Sequence, residues 1–338
     1  MKKLRVAIVM LKDFIPPDSI EGMSDKEIAR FKTEYDVLVT LKGMGHHAQP
    51  VGVANDLGEL RSALNELKPH IVFNLLEEFQ GFNLYMPFVL GYLELLRQPY
   101  TGCNPYAMML THNKALVKKI LKYHRIRTPE FVVFPWGKSV RRPGHLPFPL
   151  FVKSTTQHGS VGIAQSSVVN DDDQLAERVR FIHEQVQTDA IAEQYIDGRE
   201  FYVGILGNRR LDTFPIWELC FENLPEGAPR IATEKVKWDP DYQSKAGVIT
   251  RAATDLDDRL ASRIVRVCKR AYRILGQSGY ARMDLRLAGN GELYLIESNP
   301  NPQLSYGEDF AEAAHTSGLK YEHLLQRILN LGLSYKPD

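Results

Sequence analysis

The sequence predicts an α/β protein that turns to an antiparallel α+β arrangement in its C-terminal part. Three observations carry this reading. Strand and helix signals alternate through the first hundred residues, the pattern of a parallel sheet with crossover helices. Near the C-terminus, Asn290-Gly291 joins two strand-like runs, the strongest short-range hairpin signal. The chain has 338 residues, enough for two or three domains with sizeable cores.

Residues 4–10 are a short apolar run. They read as a first strand and not as a cleaved leader, because no small-residue cleavage site follows. Ser24-Asp25-Lys26-Glu27 fits a capping box. Ile28, Phe31, Tyr35 and Leu38 then follow at helical spacing, with Gly43 placed as a C-cap. Residues 49–53 form a second strand, 57–67 a helix stopped before Pro69, 70–76 a third strand and 85–96 a third helix. Open parallel sheets bind ligands beyond the carboxyl ends of their strands. Asn74, Glu77 and Glu78 fall at such an end.

Pro99-Tyr100-Thr101-Gly102 marks a boundary. Beyond it come a helix at 113–123, a strand at 130–134, a proline-bearing connection at 140–149 and a strand at 150–153. A helix near 173–184 and a strand at 190–195 follow. The last part holds strands at 201–206 and 211–216, a polar stretch at 222–247, a helix at 257–275, the hairpin and a closing helix near 321–331. Expected domains are therefore 1–102, 103–197 and 198–338. Unstructured stretches longer than about 15 residues are uncommon in compact domains unless they are functional or disordered. The stretch 222–247, carrying Lys235, Lys237, Trp238 and Lys245, reads as an active-site lid.

Composition excludes several classes. The chain is 44% hydrophobic and 25% charged, with a net charge of +1. It has no basic field for nucleic acid. Lys118-Lys119 and Arg141-Arg142 read as solvated surface, and His46-His47 as an exposed helix end. No apolar run reaches the roughly 20 residues that span a bilayer. Cys103, Cys220 and Cys268 are far apart and odd in number, which fits a reducing cytoplasm.

The hairpin carries the chemistry. With Asn290 and Gly291 as a two-residue loop, counting outward pairs Leu287 with Tyr294, Asp284 with Glu297 and Arg282 with Asn299. Alternation then puts Arg282, Asp284, Glu297 and Asn299 on one face, with Met283, Leu285, Leu287, Tyr294 and Ile296 opposite. A lone strand carboxylate ordinarily faces solvent. Two carboxylates directly across a strand pair repel, so this pair implies a cation between them. Hard oxygen donors suit Mg²⁺ held together with substrate phosphates.

Lys153-Ser-Thr-Thr-Gln-His-Gly-Ser-Val-Gly162 follows a strand. Gly159, Ser160 and Gly162 could let backbone amides cradle phosphate oxygens, with His158 in reach of substrate; a plain turn has the same signature. The loop is not GxxxxGK[ST], and no GxGxxG follows the first strand. Glu193 and Glu200 bracket EQYIDGRE. Its backbone at Gln194 and Ile196 could meet an adenine edge, and Glu200 could accept ribose hydroxyls.

In order along the chain, VFNLLEEFQG, LLRQPYTGCNP, THNKALVKKIL, FVKSTTQHGSVG, IAEQYIDGREF, ARMDLRL and LYLIESNPNPQLS together resemble the ATP-grasp superfamily. Within it they are most similar to the D-alanine–D-alanine ligases. The resemblance implies an ATP-grasp fold behind an N-terminal parallel α/β domain, and an ATP-dependent ligase forming an amide through an acyl phosphate. It implies ATP and two Mg²⁺ ions as cofactors, with Mn²⁺ as an alternative ion. Lys114 and Lys153 correspond to lysines on the ATP phosphates. Glu193, Gln194, Tyr195 and Ile196 correspond to the adenine hinge, and Glu200 to the ribose ligand. Asp284, Glu297 and Asn299 correspond to Mg²⁺ ligands, and Arg282 to the arginine on the transferred phosphoryl group. Lys237 and Trp238 resemble the Lys-Tyr pair of the mobile loop.

The chain departs from these ligases on the substrate side. After the first strand, LKDFIPPDSIEGMS holds no alignable Glu motif. Gly159 stands for a serine, Glu77 for a histidine, Gln303 for a glycine and Glu308 for a serine. The expected substrates are therefore amino acids or peptides other than D-alanine. A homodimer is one assembly open to it. Two rival readings are a ligase acting on a peptide tail and a nucleotide sensor without turnover.

Overall fold

The computed structural model describes residues 3–157 and 159–337; His158 lies outside them. Strands β1 (Arg5–Leu11), β2 (His47–Val53) and β3 (Ile71–Asn74) form a parallel sheet in the order β2-β1-β3. All four β3 residues are buried, as expected of a parallel strand covered on both faces. Alternate β1 side chains feed two cores. Val6, Ile8 and Met10 pack with Val37 and Leu41 of the helix Lys32–Gly43. The C-terminal helix Tyr321–Ser334 joins the same core through Leu324 and Ile328. Ala7 and Val9 pack with Leu60 and Leu64 of the helix Leu57–Leu67 and with Leu90 of Met86–Leu95.

The capping box forms: Ser24 N–H donates to Glu27 Oε2 at 2.8 Å and Glu27 N–H to Ser24 Oγ at 3.4 Å. The helix it starts is short, Asp25–Ala29, and a separate helix begins at Lys32 where one continuous helix was expected. His46 is buried and not exposed: its Nδ1 accepts from Leu4 N–H at 3.1 Å and its Nε2 lies 3.2 Å from Gln326 Oε1. His47 is exposed, as expected.

A second, antiparallel sheet comprises β4 (Phe131–Phe134), β5 (Leu150–Ser154), β6 (Val168–Val169) and β7 (Ala190–Gln194), in the order β4-β7-β5-β6. The helix Asp172–Phe181 covers it through Leu175 and Val179. A third sheet holds β8 (Gly198–Leu206), β9 (Asp212–Thr213), β10 (Trp217–Phe221), β11 (Val248–Ala252), β12 (Tyr280–Ala288) and β13 (Leu293–Pro300). Its order is β11-β10-β8-β12-β13, with β9 on β8. The helices Asp258–Ile274 and Lys114–Tyr123 pack on its inner face.

Three expectations change. At 211–216 only Asp212–Thr213 pairs, and Phe214 turns inward onto Phe310 at 5.1 Å between ring centroids. The paired strand is β10, five residues later. The stretch 222–247 is not featureless: Thr233 caps the helix Glu234–Trp238, and Asp239 with Pro240 starts Pro240–Ala246. A Thr cap, and an Asp cap followed by proline, are helix starts legible in sequence. A related start, an Asn cap followed by proline at Asn104-Pro105, opens the unforeseen helix Pro105–Thr111, and Asp309–Thr316 is also helical.

The hairpin keeps the expected register at its far end and shifts near the turn. Arg282 pairs with Asn299 and Asp284 with Glu297, but Leu285 pairs with Leu295 and Leu287 with Leu293. Ile296 is the extra residue of a β-bulge, and the turn has three residues, closed by Ala288 N–H to the Glu292 carbonyl at 2.9 Å. The cause is core composition. The bulge seats Leu293 and Leu295 in the core in place of Tyr294 and Ile296. Tyr294 instead lies under Arg127, 5.6 Å from its guanidinium, and donates to Glu292 Oε2 at 2.9 Å.

Among the described residues no helix is long and apolar enough to cross a membrane, and all three cysteines are free. One backbone approach ties the last sheet to the segment after β3. Gly279 has φ +71°, and a Cβ there would sit 2.3 Å from the Gly102 carbonyl oxygen. Gly279→Ala should lower stability by about 1–3 kcal/mol, read from urea denaturation. An unchanged midpoint would show that this approach can relax freely.

Candidate active site

Sheets two and three face each other across a cleft of about 870 Å³, measured out into open solvent. Lys114, Lys153, Gly159, Ser160, the hinge 193–196, Glu200, Lys237, Asp284, Glu297 and Asn299 all line it. Thus nearly every nucleotide-side residue expected from sequence meets one space. Among that set, Gly162 and Arg282 are not in the wall.

At the metal end, Asp284 is gripped from two sides. Arg282 donates Nε to Oδ1 at 2.8 Å and Nη2 to Oδ2 at 2.9 Å. Asn299 Nδ2 donates to the same Oδ2 at 2.8 Å. The Arg282 guanidinium also stacks over Tyr202 at 4.5 Å and lies 3.5 Å from Asp309 Oδ2. Across the strand pair, Glu297 Oε1 meets Lys114 Nζ at 3.1 Å. Burial pushes Asp284 above the ordinary carboxylate range; Arg282 pulls it back down, while Glu297 adds like charge. Opposed carboxylates therefore coexist because cations flank both.

Among the described residues no three His, Cys, Asp or Glu side chains gather to hold an ion. The donor set is two carboxylates and one amide, and all three line the nucleotide cleft. Mg²⁺ is commonly bound by one or two carboxylates with substrate phosphates completing its shell. The set fits that mode. The amide of Asn299 would turn its oxygen inward, and Arg282 would yield an Asp284 oxygen.

The phosphate end is a buried charge network. Lys153 Nζ lies 3.4 Å from Glu193 Oε2, and Lys118 Nζ lies 3.4 Å from Glu193 Oε1. Lys118 is 1% exposed, not the surface residue expected. The missed signal is its i+4 spacing from Lys114, which puts both ammoniums on one helix face. Burial lowers the pKa of Lys114 and brings that of Lys118 down to about 8. Burial also opposes the charge on Lys153, but Glu193 and Glu297 outweigh it and raise its pKa.

At the hinge, Gln194 N–H already donates to the Glu130 carbonyl at 2.8 Å, so it is not free for a base edge. The Ile196 carbonyl accepts from Arg286 Nη1 at 2.8 Å. Arg286 also donates Nη2 to Glu200 Oε2 at 2.6 Å, and Tyr202 donates to Glu200 Oε1 at 3.0 Å. Sequence reasoning missed Arg286, two positions beyond Asp284 and on the same strand face. It orients Glu200 and ties hinge to sheet.

The segment 222–247 lies across the glycine-rich loop. Trp238 Nε1 donates to the Gly159 carbonyl at 3.0 Å, and Ser160 Oγ to the Ala232 carbonyl at 2.8 Å. Gly162 N–H donates to Glu234 Oε2 at 3.0 Å. These three contacts hold the segment as a cover. Lys237, just before Trp238, lines both this cleft and a larger adjoining cavity. Burial and the neighbouring Arg282 lower its pKa.

The adjoining cavity is open to solvent and spans about 2220 Å³. Glu77, Glu78, Gln303, Glu308 and Asp309 line it together with Lys237, Trp238, Arg282 and Asn299. Glu77 and Glu308 are open to the cavity yet crowded by protein, and burial raises the pKa of each. Behind Glu77, Glu34 is 6% exposed. Burial, with the Glu77 charge adding, brings its pKa up to about 7.

Known proteins share this plan. The D-alanine–D-alanine ligase of Bacillus anthracis, solved in complex with ATP, matches with a TM-score of 0.75 at 22% identity, covering 98% of this chain and 97% of that one. The chain thus has the fold of that ligase. Residues 120–330 match the family model described as D-ala D-ala ligase C-terminus. The chain is 31% identical to the D-alanine–D-alanine ligase of Bordetella avium, over 71% of each. It is 27% identical to that of Moorella thermoacetica, over 92% of this chain and 96% of the other. The protein belongs to the D-alanine–D-alanine ligase family, ATP-dependent ligases that make carbon–nitrogen bonds.

The raised pKa of Glu34 has a definite sign. Between the unfolded value of 4.5 and the folded value of about 7, the unfolded chain ionises first, so rising pH removes stability. Glu34→Gln should therefore raise stability by about 1–3 kcal/mol at pH 8 and leave it unchanged at pH 4. Urea denaturation at both pH values checks this; equal effects at both would contradict it.

Proposed function

We propose that this chain is an ADP-forming carboxylate–amine ligase whose substrates are an amino acid or small peptide and an amine other than a D-alanine pair. One observation carries the reading. Asp284, Glu297 and Asn299 line the cleft, and Arg282, Asn299 and Lys237 line the larger adjoining cavity. Phosphoryl donor and acceptor would meet there.

In this reaction a substrate carboxylate oxygen attacks the γ-phosphorus, and the bond from that phosphorus to the ADP oxygen breaks. An amine nitrogen then attacks the acyl carbon. Phosphate leaves and the nitrogen loses a proton, giving the amide. Lys114 and Lys153 would bind the triphosphate, and the Arg282 fork would donate to the oxygens of the group in flight. Mg²⁺ held by Asp284, Glu297 and Asn299 would supply positive charge against those oxygens. The Trp238–Gly159 latch keeps the cover over the cleft, which protects an acyl phosphate from water.

On the substrate side, Glu77 and Glu308 replace the neutral or basic groups of D-alanine ligases, and Gln303 lines the same wall. Carboxylates at two such positions favour an acceptor or donor carrying an amine. The cover closes against the glycine-rich loop, which supports a small substrate over a long peptide tail.

ADP release should depend on added substrate. Screening D- and L-amino acids and dipeptides in pairs should find a combination that drives turnover. Asp284→Ala should lower that rate by about 100-fold or more. Nucleotide binding with no ADP from any pair would favour a sensor instead.

A further inference from the structure

Lys118 is a fully buried ammonium on the helix Lys114–Tyr123, and it has no place in the cleft wall. It has two partners. Its Nζ donates to the Ile296 carbonyl, the bulge residue of β13, at 3.1 Å and lies 3.4 Å from Glu193 Oε1. The other oxygen of Glu193 faces Lys153 Nζ, also at 3.4 Å. Glu193 is 2% exposed and shares two lysines that are each almost fully buried.

The two lysines differ in one respect. Lys153 lines the cleft, where an incoming phosphate would meet it; Lys118 does not line it. A buried carboxylate stripped of its counter-ion costs several kcal/mol. If Lys153 were the only cation on Glu193, drawing it toward a phosphate would carry that cost. Lys118 removes it.

Resting on the ATP-binding reading above, we propose that Lys118 is a positioning residue: the resident counter-ion of Glu193 that frees Lys153 for a nucleotide phosphate. Its pKa near 8 keeps most of the ammonium charged at neutral pH. The bulge carbonyl holds the ammonium in place while Lys153 moves.

The proposal makes a selective prediction. Adenosine has no phosphate and does not call on Lys153. In Lys118→Met the Kd for ATP should rise about tenfold or more while that for adenosine stays within about twofold. Isothermal titration calorimetry of purified full-length protein with MgATP and with adenosine reads both. Glu193→Gln added to Lys118→Met removes the charge that needs a partner, and should bring the ratio of the ATP Kd to the adenosine Kd back toward that of Glu193→Gln alone, a recovery that any change in adenine contact leaves untouched. If Lys118→Met does not fold, Lys118→Gln replaces it, with the same selective loss expected. Unchanged ATP affinity, an equal loss for both ligands or no recovery in the double variant would overturn the inference. Wild-type protein that binds no ATP would overturn the nucleotide reading and this inference with it.

Discussion

Two carboxylates facing each other across one strand pair are the constraint on which this structure turns. Asp284 and Glu297 would drive β12 and β13 apart without cations beside them. Arg282 and Asn299 satisfy Asp284, and Lys114 meets Glu297. The helix bearing Lys114 is thereby tied to the third sheet, and the same helix carries Lys118 to Glu193 on the second. One helix face thus fixes two sheets around the cleft. On the proposed reading an incoming metal-bound triphosphate would exchange with these charges: Arg282 would yield Asp284, and Lys153 would leave Glu193.

The substrate half is built differently. Its cavity is wide, and carboxylates crowd its wall. Two of them, Glu77 and Glu308, are pushed above their ordinary range by burial, as is Glu34 behind the wall. The family relation fixes the nucleotide chemistry far more tightly than the identity of what is joined. Of the positions that depart from D-alanine ligases, Glu77, Gln303 and Glu308 fall on this cavity alone, while Gly159 lines both it and the nucleotide cleft.

Much of this was legible in the residues. Alternation alone placed Arg282, Asp284, Glu297 and Asn299 together, because the far end of the hairpin follows simple period-two counting. The turn end did not, since seating Leu293 and Leu295 required a bulge that no pairwise count contains. Lys118 was missed because a Lys-Lys pair reads as surface by composition, while its helical spacing from Lys114 says otherwise. Arg286 was missed for lack of a partner in sequence; Glu200 lies on β8, the neighbouring strand, 86 residues away. The segment 222–247 was legible as a cover but not as two short helices, although Thr233 and Asp239-Pro240 announce both.

The central claim is that the hairpin face binds a divalent ion only when nucleotide phosphates complete its shell, since Arg282 and Asn299 occupy the Asp284 oxygens beforehand. Electron paramagnetic resonance of Mn²⁺, titrated into the protein with and without a non-hydrolysable ATP analogue, measures this directly. Tight Mn²⁺ uptake only in the presence of the analogue, lost in Glu297→Gln, is the expected result. Equal uptake without nucleotide, or uptake indifferent to Glu297, would contradict the account.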